Sequence, residues 1–262
     1  MGNKEEVRNF IRKNYANVAL KGSNGGCCSG GCCCGGDSFD INEASARIGY
    51  TEENLSNIPA DANMGLGCGN PLAIVSLKKG ETVLDLGSGG GFDCFLAREQ
   101  VGEQGYVIGV DMTPEMVSLA RKNAEESGFT NIDFRLGEIE HLPVLNESID
   151  VIISNCVINL SLDKEQVFKE AFRVLKSGGR MSLSDIVITS ELPQNVKENL
   201  ALTASCISGA ESVENLESML YKAGFQHVKM TPKLNSKEII RNWNLGNHLE
   251  DFVASYLIEA EK

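Results

Sequence analysis

No apolar run in this 262-residue sequence approaches the roughly 20 residues that a helix needs to cross a bilayer. The opening stretch, MGNKEEVRNFIRKNYANVAL, reads as an amphipathic helix carrying charges throughout, and it lacks the apolar segment of a secretory leader. It also departs from a myristoylation start, because its sixth residue is Glu rather than Ser or Thr. A cytoplasmic protein is therefore expected. Basic residues are in deficit: 24 Lys and Arg face 36 Asp and Glu, a formal net charge of −12. Binding to phosphate needs clustered cations, so neither nucleic acid nor an anionic membrane is expected as a partner. Histidine is scarce. His141, His227 and His248 show no metal-ligand spacing and are expected on loops or the surface. No internal repeat is visible, and a monomer is expected.

Cysteine, by contrast, is abundant, with nine in the chain. An odd count in a reducing compartment does not suggest a structural disulfide framework. It suggests thiols used for soft-ligand binding or redox chemistry. Hydrophobic (42%) and charged (23%) content are those of an ordinary globular protein with a sizeable core.

Three regions are expected. Residues 1–39 hold the N-terminal helix and a low-complexity Gly/Ser/Cys linker, SNGGCCSGGCCCGGD. Residues 40–188 begin with short helical stretches and a glycine loop, NMGLGCGNP, then alternate strand and helix. Strands are expected at TVLDLGSG (82–89), GYVIGVDM (105–112), NIDFRLGE (131–138), SIDVIISN (148–155) and RMSLSDIVI (180–188). Helices are expected at FDCFLAREQVG, at TPEMVSLARKNAEESGF with Thr113 as N-cap and Pro114 at N1, and at 163–179. Residues 189–262 are read as helices over 195–210 and 212–225 and the last strands, QHVKMTP and DFVASYLIEAEK. This alternation predicts an α/β, Rossmann-like, doubly wound and mostly parallel sheet of seven strands.

In such a sheet, ligands bind beyond the carboxyl ends of the strands. The first strand ends in DLGSGGGF, where Gly87 and Gly89 let a ligand approach the backbone. The second ends in Asp111, at the distance along the chain where a carboxylate accepts ribose hydroxyls. A dinucleotide fingerprint starting at Gly87 would need Gly at position 92, which is Phe92. The observed pattern, Asp85-x-Gly87-x-Gly89, resembles the first motif of class I S-adenosylmethionine (SAM) methyltransferases. That resemblance places Asp85 near the cationic end of SAM, Gly87, Ser88 and Gly89 along it, Asp111 and Met112 on the ribose side, Gly137, Glu138 and Ile139 by the adenine, and Asn155 at the fourth strand end.

Cys156 follows the mouth of that fourth strand. A free Cys is usually a small buried hydrophobe. Yet Cys206 lies in ASCISGA on the acceptor side, and Cys68 lies in a glycine loop, GLGCGNP, that could fold over the mouth. Together with VLDLGSGGGFDCFLA, VIGVDMTPEMVSLAR, GEIEHLPV and IISNCVINLSLDKEQVFKEAFRVLK, these motifs resemble the arsenite SAM methyltransferases over roughly residues 40–230. The resemblance implies methylation of trivalent arsenic to mono- and dimethylated arsenicals. It implies arsenic held by Cys156 and Cys206, Cys68 required for the first methylation, and a thiol reductant of the thioredoxin or glutathione type. The chemistry is consistent. Trivalent arsenic is thiophilic, arsenous acid is neutral, and the arsenic lone pair attacks the sulfonium methyl without needing a general base.

Cys94 fits the packing face of the first core helix and is expected to be structural. Cys27, Cys28, Cys32, Cys33 and Cys34 have neighbours with Cα atoms about 3.8 Å apart, below the roughly 4.4–6.8 Å of disulfides. They are read as accessory thiols that capture arsenic, against the plainer reading of a linker with incidental thiols. A zinc site fits less well, for want of separated C-x-x-C pairs. Two other functions stay open: a class I methyltransferase for a quinone or other small acceptor, which would not need Cys156 and Cys206, and a thiol-based metalloid-binding protein, which would not need SAM.

Overall fold

In the computed structural model, residues 4–21, 41–56, 58–197, 202, 206–243 and 248–262 are described. From residue 82 onward strand and helix alternate, except that β4 follows β3 with no helix between: β1 Thr82–Leu86, α5 Phe92–Val101, β2 Tyr106–Asp111, α6 Pro114–Ser127, β3 Ile132–Leu136, β4 Ile149–Asn155, α7 Lys164–Val174 and β5 Leu175–Ile188. Ahead of them come α1 Lys4–Lys21, α2 Ile41–Arg47, α3 Glu52–Ser56 and α4 Leu72–Val75. After them come α8 Gln194–Lys197, the two-residue β6 Glu211–Ser212, α9 Val213–Ala223, β7 Gln226–Pro232, α10 Ser236–Asn242 and β8 Val253–Glu261.

The strands that form the sheet run in the order β3-β2-β1-β4-β5-β8-β7, the seven expected. The short β6 adds an eighth, paired with the end of β5. Pairs from β3 through β5 are parallel, and β8 runs antiparallel to both β5 and β7. Strand order reverses between β1 and β4, so the crevice where such sheets bind ligands opens beyond the carboxyl ends of those two strands. The register sets the neighbours there: Leu86 lies beside Ser154, and Asn155 beside Ser184.

Local chemistry explains the element ends. Thr113 takes the N-cap position of α6 with Pro114 following, but its hydroxyl makes no capping bond, and Gly128 closes the helix in the left-handed region at φ 69°. Asp163 and Ser212 cap α7 and α9 by accepting from the amides of Gln166 and Asn215. Both faces of the sheet are packed. Leu84, Ile152, Phe168 and Leu220 lie in the core on one side, and Val83, Phe95, Val151 and Val107 in that on the other.

Two expectations change, and one element is added. Helix α7 stops at Val174, and residues 175–179 join β5 instead, because Leu175 pairs with Ile149 and the chain bulges before pairing resumes at Arg180. The bulge is held at the sheet's other side, where Gly178 and Gly179 exchange backbone hydrogen bonds with Lys262. Residues 206–210 form a turn rather than the end of a helix. Helix α10 lies between the last two expected strands, in a stretch given no element from the sequence; it buries Ile239 and Ile240.

Candidate active site

Leu86 hands the chain to a glycine turn at the switch point. Gly87 has φ 74°, a conformation that only glycine adopts cheaply, and a Cβ there would drive into the side chain of Val157. The glycine is therefore needed for packing as well as for a ligand's approach. Gly91 starts α5 at φ 95°, and a Cβ there would sit 2.8 Å from the rings of Phe134 and Phe95. Asp111, at the end of β2, holds the turn: its Oδ2 accepts from the Gly89 amide at 3.0 Å and its Oδ1 from the Thr113 amide at 2.8 Å. Ser88 is buried, Met112 is half-buried beside Asp111, and the Gly137 amide donates to the Asp111 carbonyl at 3.0 Å. Ile139 is buried in the core.

Three carboxylates meet beneath this turn. Asp85 is buried and accepts a hydrogen bond from the Cys94 thiol at 3.3 Å. Burial, then the neighbouring charge of Asp93, holds the Asp85 carboxyl well above its usual range. Burial also pushes Asp93 up to about 6, against the Tyr50 hydroxyl that donates to it at 2.6 Å. Asp111 is raised by burial as well. No lysine or arginine among the described residues pairs with any of the three. Buried like charges without a counter-charge are costly. A ligand carrying both an ammonium and a sulfonium matches that need, so the residues present fit SAM.

Glu138 points away from the core and meets the N-terminal helix. Arg12 donates to it at 3.2 Å, and Arg8 lies 3.6 Å from the same oxygen. Ile11 and Val18 of α1 are buried, and Val18 packs with Met64 and Met116. Helix α1 thus lies across α6 and the glycine turn, where Met64 reaches 3.4 Å from the Cβ position of Gly89.

The thiols gather on the other side of the β1/β4 crevice. Cys156 leaves β4 with φ 57°, and Cys206 has φ 63°. Non-glycine residues rarely occupy this region, and such backbone concentrates where function requires it. The Cys156 amide donates to the Ser184 carbonyl at 2.7 Å. The Cys206 thiol donates to the Cys156 carbonyl at 2.7 Å. Cys68 is fully buried and joined to Cys156 by a disulfide, with Cα atoms 6.0 Å apart. All three expected cysteines therefore converge. They share an apolar cluster with Ile186, Val196, Ile207, Ile240 and Val253, which excludes water from the sulfurs.

Asn155 joins the two halves. Its Oδ1 accepts from the Cys68 amide at 3.1 Å, while its Nδ2 donates to the Gly69 carbonyl at 2.7 Å and to the Tyr50 hydroxyl at 3.1 Å. The side chain read as a cofactor contact thus pins the cysteine loop and, through Tyr50, reaches Asp93. Cys94 is buried in α5 as expected, yet its thiol also touches Asp85. The histidines are exposed, as expected. Cys27, Cys28, Cys32, Cys33 and Cys34 lie outside the described residues.

Sequence reasoning missed Tyr50, Asp93, Asn159 and Asp185. Asp185 carried a signal, since a carboxylate inside the apolar strand SLSDIVI needs a reason. Asp93 carried a weaker one at the start of an otherwise buried helix face. Tyr50, far from both motifs in sequence, carried none.

Comparison with known proteins agrees with this geometry. A family model described as a methyltransferase domain matches residues 77–224. An arsenite methyltransferase of Halobacterium salinarum is 46% identical over 98% of this chain and 67% of its own length. That of Mus musculus is 38% identical over 73% of this chain; the aligned part is 52% of the mouse protein, so the chain spans about half of that relative. The crystal structure of an arsenic (III) S-adenosylmethionine methyltransferase from Chlamydomonas reinhardtii superimposes with a TM-score of 0.62 at 33% identity, covering 84% of this chain and 72% of that one. The sheet order, the carboxylate-lined glycine turn and the three gathered cysteines are thus features of a chain that belongs to the arsenite methyltransferase family.

Proposed function

We propose that this protein methylates trivalent arsenic, taking the methyl group from SAM and holding the arsenic on Cys68, Cys156 and Cys206. One observation carries the reading: three cysteines distant in sequence meet in one buried apolar cluster, and Asn155 links it to the carboxylate-lined turn. Asp85, Gly87, Ser88, Gly89, Asp111, Met112, Gly137, Glu138 and Ile139 form the SAM side. Asp85 and Asp93 face its cationic end, Asp111 its ribose, and Gly137–Ile139 its adenine. Asn155 separates the two chambers and orders the Cys68 loop between them.

SAM supplies an electrophilic methyl on a sulfonium sulfur. On the acceptor side, exchange of As–OH for As–S binds neutral arsenous acid with release of water and needs no basic pocket. The arsenic lone pair is left free for in-line attack, and the chain's task is positioning and exclusion of water. Methylation raises arsenic to the pentavalent state. When the Cys68 and Cys156 sulfurs join, both As–S bonds break and an electron pair returns to arsenic. The Cys68–Cys156 disulfide is the chain's side of that balance. A thiol reductant of the thioredoxin or glutathione type then restores the dithiol. The product series runs through mono- to dimethylated arsenicals, and the N-terminal thiols feed arsenic to the core.

The test is methylation of arsenite with SAM and excess thiol, the products being separated by chromatography and detected by elemental mass spectrometry. Wild type should form methylarsenicals. Cys156→Ser and Cys206→Ser should form none while binding SAM normally. A wild-type protein that binds SAM yet leaves arsenite unmethylated would overturn the reading in favour of another small acceptor.

A further inference from the structure

A buried carboxylate, that of Asp185, lies beside the thiols. Asp185 lies in β5 next to Ser184, whose Oγ is 3.7 Å from the Cys68 sulfur. A carboxylate oxygen of Asp185 and the sulfurs of Cys68 and Cys156 all lie within 4.8 Å of one another. The side chain is 2% exposed. Its Oδ2 accepts from the amides of Ile158 at 2.9 Å and Asn159 at 3.4 Å. Its Oδ1 accepts from Asn159 Nδ2 and from its neighbour's amide, Ile186, both at 2.8 Å. Every one of these partners is a donor. A carboxylic acid proton on either oxygen would face an N–H, so the hydrogen bonding selects the ionised form. With its lone pairs engaged by the chain, Asp185 is a poor ligand but a fixed negative charge.

We infer that Asp185 stabilises the positive charge that develops on arsenic as it is methylated, and that it thereby selects acceptors that become cationic. The inference deepens the proposed function and rests on it. Arsenic bound through the three cysteine sulfurs is neutral. As the As–C bond forms and the S–CH3 bond breaks, the positive charge leaves sulfur and appears on arsenic; once the Cys68–Cys156 disulfide departs, water adds to arsenic and loss of its proton discharges it. A preorganised anion in a dry site lowers the energy of that charge without having to reorganise. The same anion repels a phenolate or enolate acceptor, which separates this chamber from that of a methyltransferase for carbon or oxygen nucleophiles. Burial pushes the Asp185 carboxyl up to about 6, against the backbone amides and the cation of Lys164, which donates to the Ser161 carbonyl; at neutral pH the group is ionised.

Asp185→Asn removes the charge but turns an amide NH2 toward N–H donors. Asp185→Ser is the second neutral variant, since a hydroxyl with a water accepts where the amide cannot. Asp185→Glu keeps the charge. Each full-length variant is loaded with arsenite under reducing conditions, and arsenite stoichiometry and affinity are measured by equilibrium dialysis. A single turnover is then started with SAM. Both neutral variants should bind arsenite as wild type does and transfer the methyl about 10²-fold more slowly, the size of effect seen when one preorganised partner of a transition-state charge is lost. Asp185→Glu should recover part of the rate.

A second readout needs no turnover. In the reduced protein, a cationic methanethiosulfonate should modify Cys156 about tenfold faster relative to its anionic counterpart than in Asp185→Ser. Wild-type transfer rates in a neutral variant that binds arsenite, or an unchanged reagent ratio, would overturn the inference. So would loss of arsenite binding or of folding in both neutral variants, which would make Asp185 a buttress of the fold. Failure of the wild type to methylate arsenite would instead remove the proposed function itself.

Discussion

Replacing Tyr50 with Phe deletes one oxygen at the junction of the two chambers, and its effect can be worked out in advance. The Tyr50 hydroxyl donates to Asp93 at 2.6 Å and accepts from Asn155 at 3.1 Å. Its ring packs edge-on against Phe92 with centroids 4.6 Å apart, and that contact survives in Phe. The bond to Asp93 favours the ionised carboxylate, so its loss drives the carboxyl further above about 6. A hydrogen bond worth about 1.4 kcal/mol corresponds to a rise of about one pH unit. If SAM requires ionised Asp93, its affinity follows the ionised fraction. At pH 7 that fraction is about nine-tenths in wild type and about half in the variant, a twofold weakening; at pH 6 it is about half against about a tenth, a weakening of about fivefold. Calorimetric titration of SAM between about pH 5.5 and 8.5 gives the ratio of dissociation constants directly. The ratio should climb as pH falls and approach unity above about pH 8. A ratio that stays flat across the range would refute the assignment of Asp93 to the cationic end of SAM.

Asn155→Ala removes the bonds that hold the Cys68 amide and the Gly69 carbonyl. In the reduced protein, alkylation of Cys68 should accelerate by about tenfold or more, since two buried hydrogen bonds of about 1 kcal/mol each are lost. Unchanged alkylation would show that the loop is held by other contacts, such as the Ser255 hydroxyl on the Cys68 carbonyl. Arg12→Ala should cost less than about 1 kcal/mol of stability, because the pair with Glu138 is half-exposed. Stopped-flow measurement should nonetheless show faster SAM release, as α1 loosens over the glycine turn; an unchanged rate would separate α1 from the ligand. Thermal stability should rise as the pH falls from 7 toward 5. Asp93 and Asp185 are held up to about 6 by burial, so their contribution is complete below the ordinary carboxylate range and is lost as pH rises through about 6. Glu81, Asp150 and Glu170, lowered chiefly by Arg180, Lys176 and Arg173, act oppositely and lose their contribution as the pH drops below 4 or so. Calorimetry showing a steady decline in melting temperature from pH 7 to 5 would contradict this order.

Much of the site was legible because its chemistry is written at strand ends. Strands β1, β2 and β4 are short apolar runs with abrupt polar or glycine stops, and those stops are where a doubly wound sheet binds ligands. The glycine turn, Asp111 and Cys156 could therefore be found by position alone. Boundaries failed where pairing overrode local preference. Residues 175–179 look like the tail of a helix with a glycine stop, yet Leu175 gains a partner in Ile149 and β5 begins at residue 175 instead of 180. The turn at 206–210 failed similarly, since Cys206 takes a left-handed backbone and its carbonyl is held by Asn159, a residue 47 positions away.

By itself the sequence determined the fold class, the ligand turn and the residue types that suit a soft acceptor. These follow from periodicity of two and 3.6, from glycine's freedom at positive φ, and from the affinity of sulfur for arsenic. Only the tertiary structure decided that Cys68, Cys156 and Cys206 share one buried cluster, that Tyr50 and Asn155 tie it to the carboxylates, and that Asp185 lies beside the sulfurs of Cys68 and Cys156. Convergence of this kind depends on strand order and register, which bring together residues as distant in sequence as Tyr50 and Asn155, 105 positions apart. No local pattern encodes it, because the forces that set it are the burial and pairing of the whole sheet.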